Sequence, residues 1–187
     1  MHLRRIATFL LGAWLAGSLM MAYIATRNFA AVNGILQNPS VPLLVTSRRL
    51  PPDGLRLILR HMAGEENRQY FESWELSEFA LGLALAAVLL LDRKRKGWAP
   101  MILCAITLLL VLFEHYKLTP LIVSLGRAIE FLPALPVTPD RARFGNLHAA
   151  YGIVEIVKML LIASLAALLF HVSHRRRVAT VREASGQ

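Results

Sequence analysis

Four ionisable residues interrupt the long apolar segments of this 187-residue chain. They are Glu78, Glu114, Glu155 and Lys158. Counting from the basic ends of their segments gives about 13–16 residues each, so a rise of ~1.5 Å per residue places all four roughly 20–24 Å from one membrane face. Ionisable groups inside a bilayer are costly, and by default they indicate a functional site. The sequence therefore predicts one buried polar layer made of these four residues.

The polar layer carries three carboxylates and one ammonium group, a formal surplus of two negative charges. Low dielectric disfavours such a surplus, so either a carboxylate holds a proton or a cation enters. Carboxylates with histidine suit Zn²⁺ or Mn²⁺, although the sequence has no compact H-x-x-x-H pattern. Whether the layer binds a metal ion or only a proton stays open. Glu155 and Lys158 are three residues apart and can pair, so a structural ion pair that fixes helix packing is the third interpretation.

Further polar residues flank the layer on the side away from the basic clusters. The outer-face candidates are Arg27, Asn28, Arg68, Glu75, His115, Arg127, His148 and Tyr151. His148 and Tyr151 precede Glu155 and Lys158 at spacings that place all four within about 80° of one helix face. A polar stripe inside a membrane helix faces the bundle rather than lipid. We therefore expect this stripe to face the bundle.

The other candidates lie nearer the predicted membrane surface. We interpret Arg68, Glu72 and Glu75 as a solvated interfacial patch in which Arg68 pairs with Glu72. Adjacent helical residues point about 100° apart, so we expect Glu114 to face inward and His115 to face the outer interface or a neighbouring helix. The cations that could balance the layer are His115, His148, Arg27, Arg127 or a bound metal ion.

The elements that must position these residues are four apolar segments, at 6–26, 74–91, 98–116 and 147–170. Each is long enough to cross a hydrocarbon core of about 30 Å. A spanning backbone has no water partners, so each segment must be a helix. With a mean hydropathy of +0.49, the sequence predicts one all-α membrane domain over 1–187. This domain is an integral four-helix bundle with interfacial amphipathic helices in the outer loops.

The segment 53–73 also reads as a helix, with Asp53 as a candidate N-cap. Its apolar stripe favours either an amphipathic helix at the interface or a long extension of the second span. In both cases Gly64 is the expected bend. Small residues on the first two spans, including Gly17 and Gly82, predict close packing between these helices.

The third span is predicted to end at Leu118, because Thr119-Pro120 does not easily continue a helix. Residues 121–131 then form a short amphipathic segment that dips back towards the membrane. Thr138 is the expected N-cap of the last helix, with a proline at its first helical position.

Basic residues cluster in three places, namely 1–5, 92–97 and the tail 171–187, and they account for the net charge of +9. The positive-inside rule places all three in the cytoplasm of a bacterial inner membrane, with both termini inside. The tail is suited to anionic lipid, and no nucleic-acid partner is expected. The first span is expected to be retained, because its apolar stretch exceeds a signal-peptide core. Cys104 is the only cysteine, which excludes an intrachain disulfide.

Several strings together resemble a known family. They are RNFAAVN at 27–33, ENRQYFESWE at 66–75, LTPLI at 118–122 and RFGNLH at 143–148. In order and spacing they resemble bacterial proteins with the domain of unknown function 4149, a family similar to the eukaryotic transmembrane protein 205 family. The resemblance covers roughly 6–170 and implies a small four-helix membrane protein without an established activity. The eukaryotic relatives are linked to the handling of platinum drugs.

Three functions fit the sequence. The first is a structural or interaction protein, alone or with a membrane partner or a second copy, in which the polar layer sets helix packing. The second is a transporter or permeation protein for a cation, a proton or a small solute. The third is a haem- or metal-binding membrane oxidoreductase that uses His115 and His148. The motifs of soluble enzymes are absent from the sequence, so we expect no enzymatic activity and no cofactor.

Overall fold

The computed structural model describes residues 2–92, 98–131 and 138–184, with the backbone alone for 171–184. Its elements are α1 (His2–Gln37), α2 (Val41–Ser47), α3 (Gly54–Leu91), α4 (Ala99–Phe113), a π-helical turn (Glu114–Leu118), α5 (Thr119–Ile129) and α6 (Pro139–Ala184). Within these ranges the regular structure is entirely helical, which confirms the all-α prediction. The basic turn at 93–97 and the proline-rich stretch at 132–137 lie outside the described residues, as do the tail side chains.

Four helices are long and apolar enough to cross a membrane: His2–Gln37, Gly54–Leu91, Ala99–Ile129 and Pro139–Phe170. The first contacts the second and the fourth, and the third contacts the same two, so consecutive helices pack as a ring. The outward faces carry large apolar side chains, for example Phe9, Leu83 and Leu109, which are all more than half exposed. Exposed apolar area on this scale needs an apolar surrounding. The chain is therefore a multi-pass membrane protein.

The half of the bundle next to residues 93–97, here called the apolar half, has a core of buried apolar side chains. Its members are Ala7, Leu11, Trp14, Leu85, Val88, Leu89, Cys104, Val111, Ile162, Leu165 and Leu169. They recur at helical spacing on all four long helices, as an inward-facing stripe requires. The other half, between this core and residues 37–54, contains the predicted polar residues and is called the polar half.

Two glycines allow the helices to interlock. A Cβ at Gly17 would overlap the indole ring of Trp74, and a Cβ at Gly82 would overlap the side chain of Leu108. The small residues predicted to bring helices together thus act at these two positions by accepting a large side chain from the neighbouring helix. The first contact packs α1 closely against α3, and the second packs α3 closely against α4.

The structure of α3 decides between the two alternatives for the segment 53–73 and shows how the helix begins. It is continuous from Gly54 to Leu91, so the segment 53–73 is an extension of the second span and not a separate interfacial helix. Asp53 precedes the helix in a left-handed conformation, with φ of 62°, and its side chain makes no capping hydrogen bond. Asp53 therefore lies at the predicted N-cap position, and its carbonyl oxygen accepts a hydrogen bond from the N–H of Leu57, but its side chain does not cap the helix. Because α3 runs on past the apolar span, the bundle extends beyond the membrane at this end.

The third long helix does not end at Leu118. The π-helical turn Glu114–Leu118 connects α4 directly to α5, and the N–H of Thr119 donates to the carbonyl oxygen of Glu114, five residues earlier. Pro120 lacks an N–H, and its ring would crowd the preceding turn of a regular α-helix. The wider turn accommodates this proline, so the predicted break is wrong. Residues 121–131 consequently continue outward instead of dipping back.

The last helix begins as predicted. Thr138 Oγ1 accepts a hydrogen bond from the backbone N–H of Arg141 at 3.3 Å, which is the geometry of an N-cap. The helix then runs through the membrane and its backbone continues to Ala184, beyond the predicted end at 170. It carries Tyr151, Glu155 and Lys158 on the face towards the bundle.

Candidate functional site

The polar layer is held together by Lys158. Its Nζ atom donates a hydrogen bond to Glu78 Oε2 at 2.6 Å and another to Glu155 Oε1 at 3.0 Å. The same ammonium group forms an ion pair with Glu114. Lys158, Glu78 and Glu114 are completely buried, while the Glu155 side chain is 18% exposed. The structure brings the four predicted residues into contact from three helices.

The helix α1 adds two donors that the sequence interpretation missed. Trp14 Nε1 donates to Glu78 Oε1 at 2.7 Å, and Ser18 Oγ lies 3.5 Å from the same oxygen. Both side chains are buried. Their signal was present in the sequence, because two hydrogen-bond donors four residues apart share one face in the middle of an apolar helix. All four long helices therefore contribute to the layer.

A second buried group, here called the upper network, lies about one helical turn further out. It consists of Glu75, His115, Thr119 and Tyr151. The Glu75 side chain is fully buried, with His115 Nδ1 at 2.9 Å from Oε2 and the Tyr151 hydroxyl donating to Oε1 at 3.3 Å. The Thr119 hydroxyl donates to Oε1 as well. The interpretation of Glu75 as part of a solvated patch is therefore wrong, because the π-helical turn, α5 and α6 cover it.

The π-helical turn positions three residues of the site. Glu114 begins the turn and points into the layer, whereas His115 points to Glu75 on α3. Thr119 follows the turn and reaches the same carboxylate. Turns of this type occur frequently at functional sites, where they redirect side chains that a regular helix would orient elsewhere. The expected division between an inward Glu114 and a His115 facing a neighbouring helix matches the contacts.

The two groups together contain more carboxylates than cations. Glu75, Glu78, Glu114 and Glu155 face Lys158 and the imidazole of His115. Even with a protonated imidazole, two negative charges remain if every carboxyl group is ionised. Among the described residues, buried Glu114 Oε1 has no hydrogen-bond donor. Burying an ionised oxygen without a partner is costly, so this oxygen is the position where a proton is best placed.

The carboxylates of the layer have a spacing that a cation can also use. One oxygen each from Glu78, Glu114 and Glu155 lie within 4.8 Å of one another. However, the Lys158 ammonium group already contacts all three. A second cation placed there would be repelled by this charge in a low-dielectric surrounding. A proton on a carboxylate neutralises charge without that repulsion.

Outside the apolar span, a further set of charged residues forms the outer cluster of His61, Glu65, Arg68, Arg127 and Glu130. Arg68 forms ion pairs with Glu65 and Glu130, where we predicted a pair with Glu72. Arg127 donates to both oxygens of Glu65, at 3.0 and 2.9 Å, and His61 Nδ1 lies 3.0 Å from Glu130. The hydrogen bond from Arg127 lowers the pKa of Glu65 to about 2. The cluster ties α3 to α5.

A pocket of about 240 Å³ opens between these charged residues and the upper network. Its wall combines arginines with aromatic and aliphatic side chains from all four long helices. Thr119 and Tyr151 line this pocket, and their hydroxyl groups are the ones that bind Glu75. The pocket thus ends on the buried carboxylate network.

Three of the side chains expected to balance the charge of the layer do not reach it. Arg27 is exposed, Arg127 is engaged with Glu65, and His148 lies exposed with its ring stacked on Phe144. Asn28 instead donates to Asn67 at 2.6 Å. The expectation that Arg27, Arg127 or His148 balances the layer is therefore wrong. The side chains of Arg27, Arg127 and His148 lie around the outer end of the bundle.

Fold and site together define a multi-pass helical membrane protein with a charged, buried polar half. Comparisons with known proteins add no closer identity. No family model matches the chain, and neither the curated proteins nor the solved structures gave a significant match.

Proposed function

We propose that this protein is a proton-coupled membrane transport protein whose polar half exchanges protons with the outer pocket. The observation that carries this proposal is the position of two hydroxyl groups. Thr119 and Tyr151 belong to the wall of the pocket and also hydrogen-bond to Glu75. A hydroxyl can both donate and accept. Protons therefore have a continuous path between the pocket and a buried carboxylate.

The path continues inward along helical spacing. Glu75 and Glu78 are one turn apart on α3, and Tyr151, Glu155 and Lys158 follow each other on one face of α6. Acidic, histidine and hydroxyl groups arranged in this way are typical of proton relays in membrane transport proteins. Beyond Lys158 the described core contains no buried charged side chain for about 16 Å, which is 11 residues of α6. Transport across the membrane therefore requires a second conformation that opens the apolar half.

In this proposal, the carboxyl group of Glu114 carries the transferable proton. It is fully buried, it contacts Lys158, and its second oxygen has no donor among the described residues. When the proton leaves, the carboxylate is stabilised by the Lys158 ammonium group. When it returns, the layer loses one of its surplus negative charges.

The test is proton flux in liposomes that contain the purified protein and an entrapped pH-sensitive dye. An imposed pH gradient should collapse faster than in protein-free liposomes, and Glu114→Gln should return the rate to the protein-free level. Glu72→Gln, an exposed position on α3, is the matched control and should keep the wild-type rate. Equal rates for the wild type, Glu114→Gln and protein-free liposomes would contradict the proposal.

A second candidate function is helix packing, and one observation favours it. Lys158 is only 1% exposed and pairs with carboxylates from three helices, as a structural crosslink would. A packing role predicts that Glu114→Gln changes stability without any protein-dependent flux in the wild type. The liposome measurement therefore separates the two functions.

We further propose that residues 37–54 face the periplasm of a bacterial inner membrane and that both termini are cytoplasmic. The basic clusters at 1–5 and 171–187 and the basic turn at 92–97 support this orientation. The basic tail would then contact anionic lipid. A membrane-impermeant thiol reagent should label Ser47→Cys but not His2→Cys in intact cells. The reverse labelling would invert the orientation.

Membership of the domain of unknown function 4149 family is also a proposal. Its support is that the strings carrying the resemblance meet at one place. They contribute Asn28, Arg68, Glu75, Thr119 and His148, which surround the pocket or the upper network. The natural sequence variation of that family would then concentrate outside this region.

A further inference from the structure

The wall of the pocket contains arginine and aromatic side chains that a proton entrance does not need. Its lining includes three arginines, Arg60, Arg68 and Arg141, and one glutamate, Glu130. The remaining wall is largely apolar, with four aromatic rings. A proton entrance requires only water and hydroxyl groups. Fixed positive charge beside an aromatic wall instead favours an anion with an apolar body.

The arginines are held in place by their own contacts. Arg60 lies over the ring of Phe29 at 5.7 Å, and Arg141 Nη2 donates to the backbone oxygen of Ile129 at 3.3 Å. Arg68 is only 15% exposed and is anchored by Glu65 and Glu130. Guanidinium groups that are already oriented lose little conformational entropy when they bind a carboxylate or phosphate.

Gly126 makes room for Arg68 at the pocket, and Gly64 makes room for Glu130, the partner of Arg68. A Cβ on Gly126 would lie 3.3 Å from Arg68 Nη2 and 3.1 Å from the ring of Phe144, and a Cβ on Gly64 would lie 3.1 Å from Glu130 Oε1. The guanidinium group therefore passes between α3 and α5, where the backbone carries no side chain. This packing places a buried positive charge beside the aromatic wall.

The volume limits the size of the occupant. An engineered apolar cavity of about 150 Å³ accommodates benzene, and this pocket measures about 240 Å³. We infer that the pocket binds a small amphipathic organic anion, with an aromatic or short aliphatic body and one carboxylate or phosphate group. A free organic acid and the end of an anionic lipid share this chemistry.

This inference rests on the proposed function and names the class of its substrate. An anion bound next to Thr119 and Tyr151 lies at the entrance to the Glu75 network, so its negative charge can travel together with a proton. Binding can nevertheless be measured without transport. Failure of the binding test and failure of the flux test are therefore distinguishable.

The experiment measures thermal stabilisation of the detergent-solubilised protein by benzoate, with benzamide as the neutral isostere and benzylamine as the cationic one. Benzoate should raise the unfolding midpoint, and the two analogues should not. Arg60→Gln should weaken benzoate binding by about tenfold, the effect of losing one charge-assisted hydrogen bond. Arg56→Gln, one turn earlier on α3 and absent from the pocket wall, should bind as the wild type does.

A second pair of variants keeps the test valid if Arg60→Gln unfolds. Val123→Trp should fill the pocket and abolish the benzoate effect, whereas Leu121→Trp, exposed on the same helix, should retain it. The lipid source is tested in bilayer discs, where phosphatidylglycerol should stabilise the protein over phosphatidylcholine only if Arg60 is present. An Arg60-dependent effect of either anion supports the inference. The inference is overturned if benzoate stabilises the protein no more than benzamide does and phosphatidylglycerol has no Arg60-dependent effect.

Discussion

The two halves of this bundle are built on the same four helices but are filled in opposite ways. In the apolar half, side chains such as Leu11, Leu85 and Leu165 interdigitate without any charged group. In the polar half, Lys158, Glu78 and Glu114 occupy the equivalent positions and are just as completely buried. Since the apolar half packs the helices without charge, packing alone does not require the polar half. The difference supports the proposal that the polar half serves in transport.

The contrast between the apolar half and the polar half is tested most strongly by removing the ammonium group of Lys158. Lys158→Met leaves three carboxylates facing one another in a buried site, and breaking a buried ion pair by removing one partner costs about 3–5 kcal/mol. We expect a correspondingly lower unfolding midpoint in detergent. Combining this change with Glu78→Gln and Glu114→Gln should recover much of the loss, because the stranded charges are also removed. A Lys158→Met protein as stable as the wild type would mean that the layer is not a charged network.

A smaller effect is expected within the upper network. Thr119→Val keeps the shape of the side chain but removes one donor to buried Glu75, a loss of about 1–3 kcal/mol. The flux in liposomes should also fall, because one hydroxyl of the proposed path is gone. Thr107→Val is the control, since Thr107 is buried on α4 but donates to its own helix backbone at Leu103. If the two variants had equal flux, the path through Thr119 would be wrong.

A substitution in the apolar half should have the opposite pattern, with an effect on stability but none on proton flux. Ile162→Val removes one buried methylene group and should lower the free energy of unfolding by about 0.5–1.5 kcal/mol. The proton flux per folded molecule should not change, because this residue lies outside both polar groups. Calorimetry together with the liposome measurement checks both statements. A large loss of flux would show that the apolar half takes part in the rate-determining step.

The smallest effect concerns the outer cluster and is dependent on pH. The pKa of Glu65 is lowered from 4.5 to about 2, chiefly by Arg127, so its stabilisation is complete above pH 4.5 and is lost as the pH falls towards 2. The wild type should therefore be more stable than Arg127→Gln at pH 6, and this difference should shrink on acidification. High salt should also reduce it, since Arg127 is 58% exposed. A difference independent of pH and salt would exclude the pair as its cause.

The charged layer could be predicted from the sequence because charge in an apolar segment is rare. Counting along the helices gave a common depth for Glu78, Glu114, Glu155 and Lys158, and the contacts of Lys158 match it. The role of Trp14 and Ser18 was not predicted, because an indole and a hydroxyl group are common in an apolar helix. Only the neighbouring helix shows that they face a carboxylate.

The polar half beyond the layer was less predictable. Helical periodicity gives the direction of a side chain but not what covers it, so Glu75 near the end of its span seemed to be solvated. Its burial depends on the third and fourth long helices continuing past the membrane surface, and the π-helical turn before Pro120 is what connects α4 to α5 in the third helix. The local sequence Thr119-Pro120 favours a break in the helix, but tertiary packing overrides this preference.

The central claim is that the polar half holds an exchangeable proton at Glu114. Infrared spectroscopy of the protein in lipid detects a protonated carboxyl group directly through its carbonyl stretch, which shifts in deuterated water. We predict such a band at neutral pH, retained in Glu72→Gln and lost in Glu114→Gln. If the wild type and Glu114→Gln have identical carbonyl bands in this region, Glu114 carries no proton and the claim is wrong.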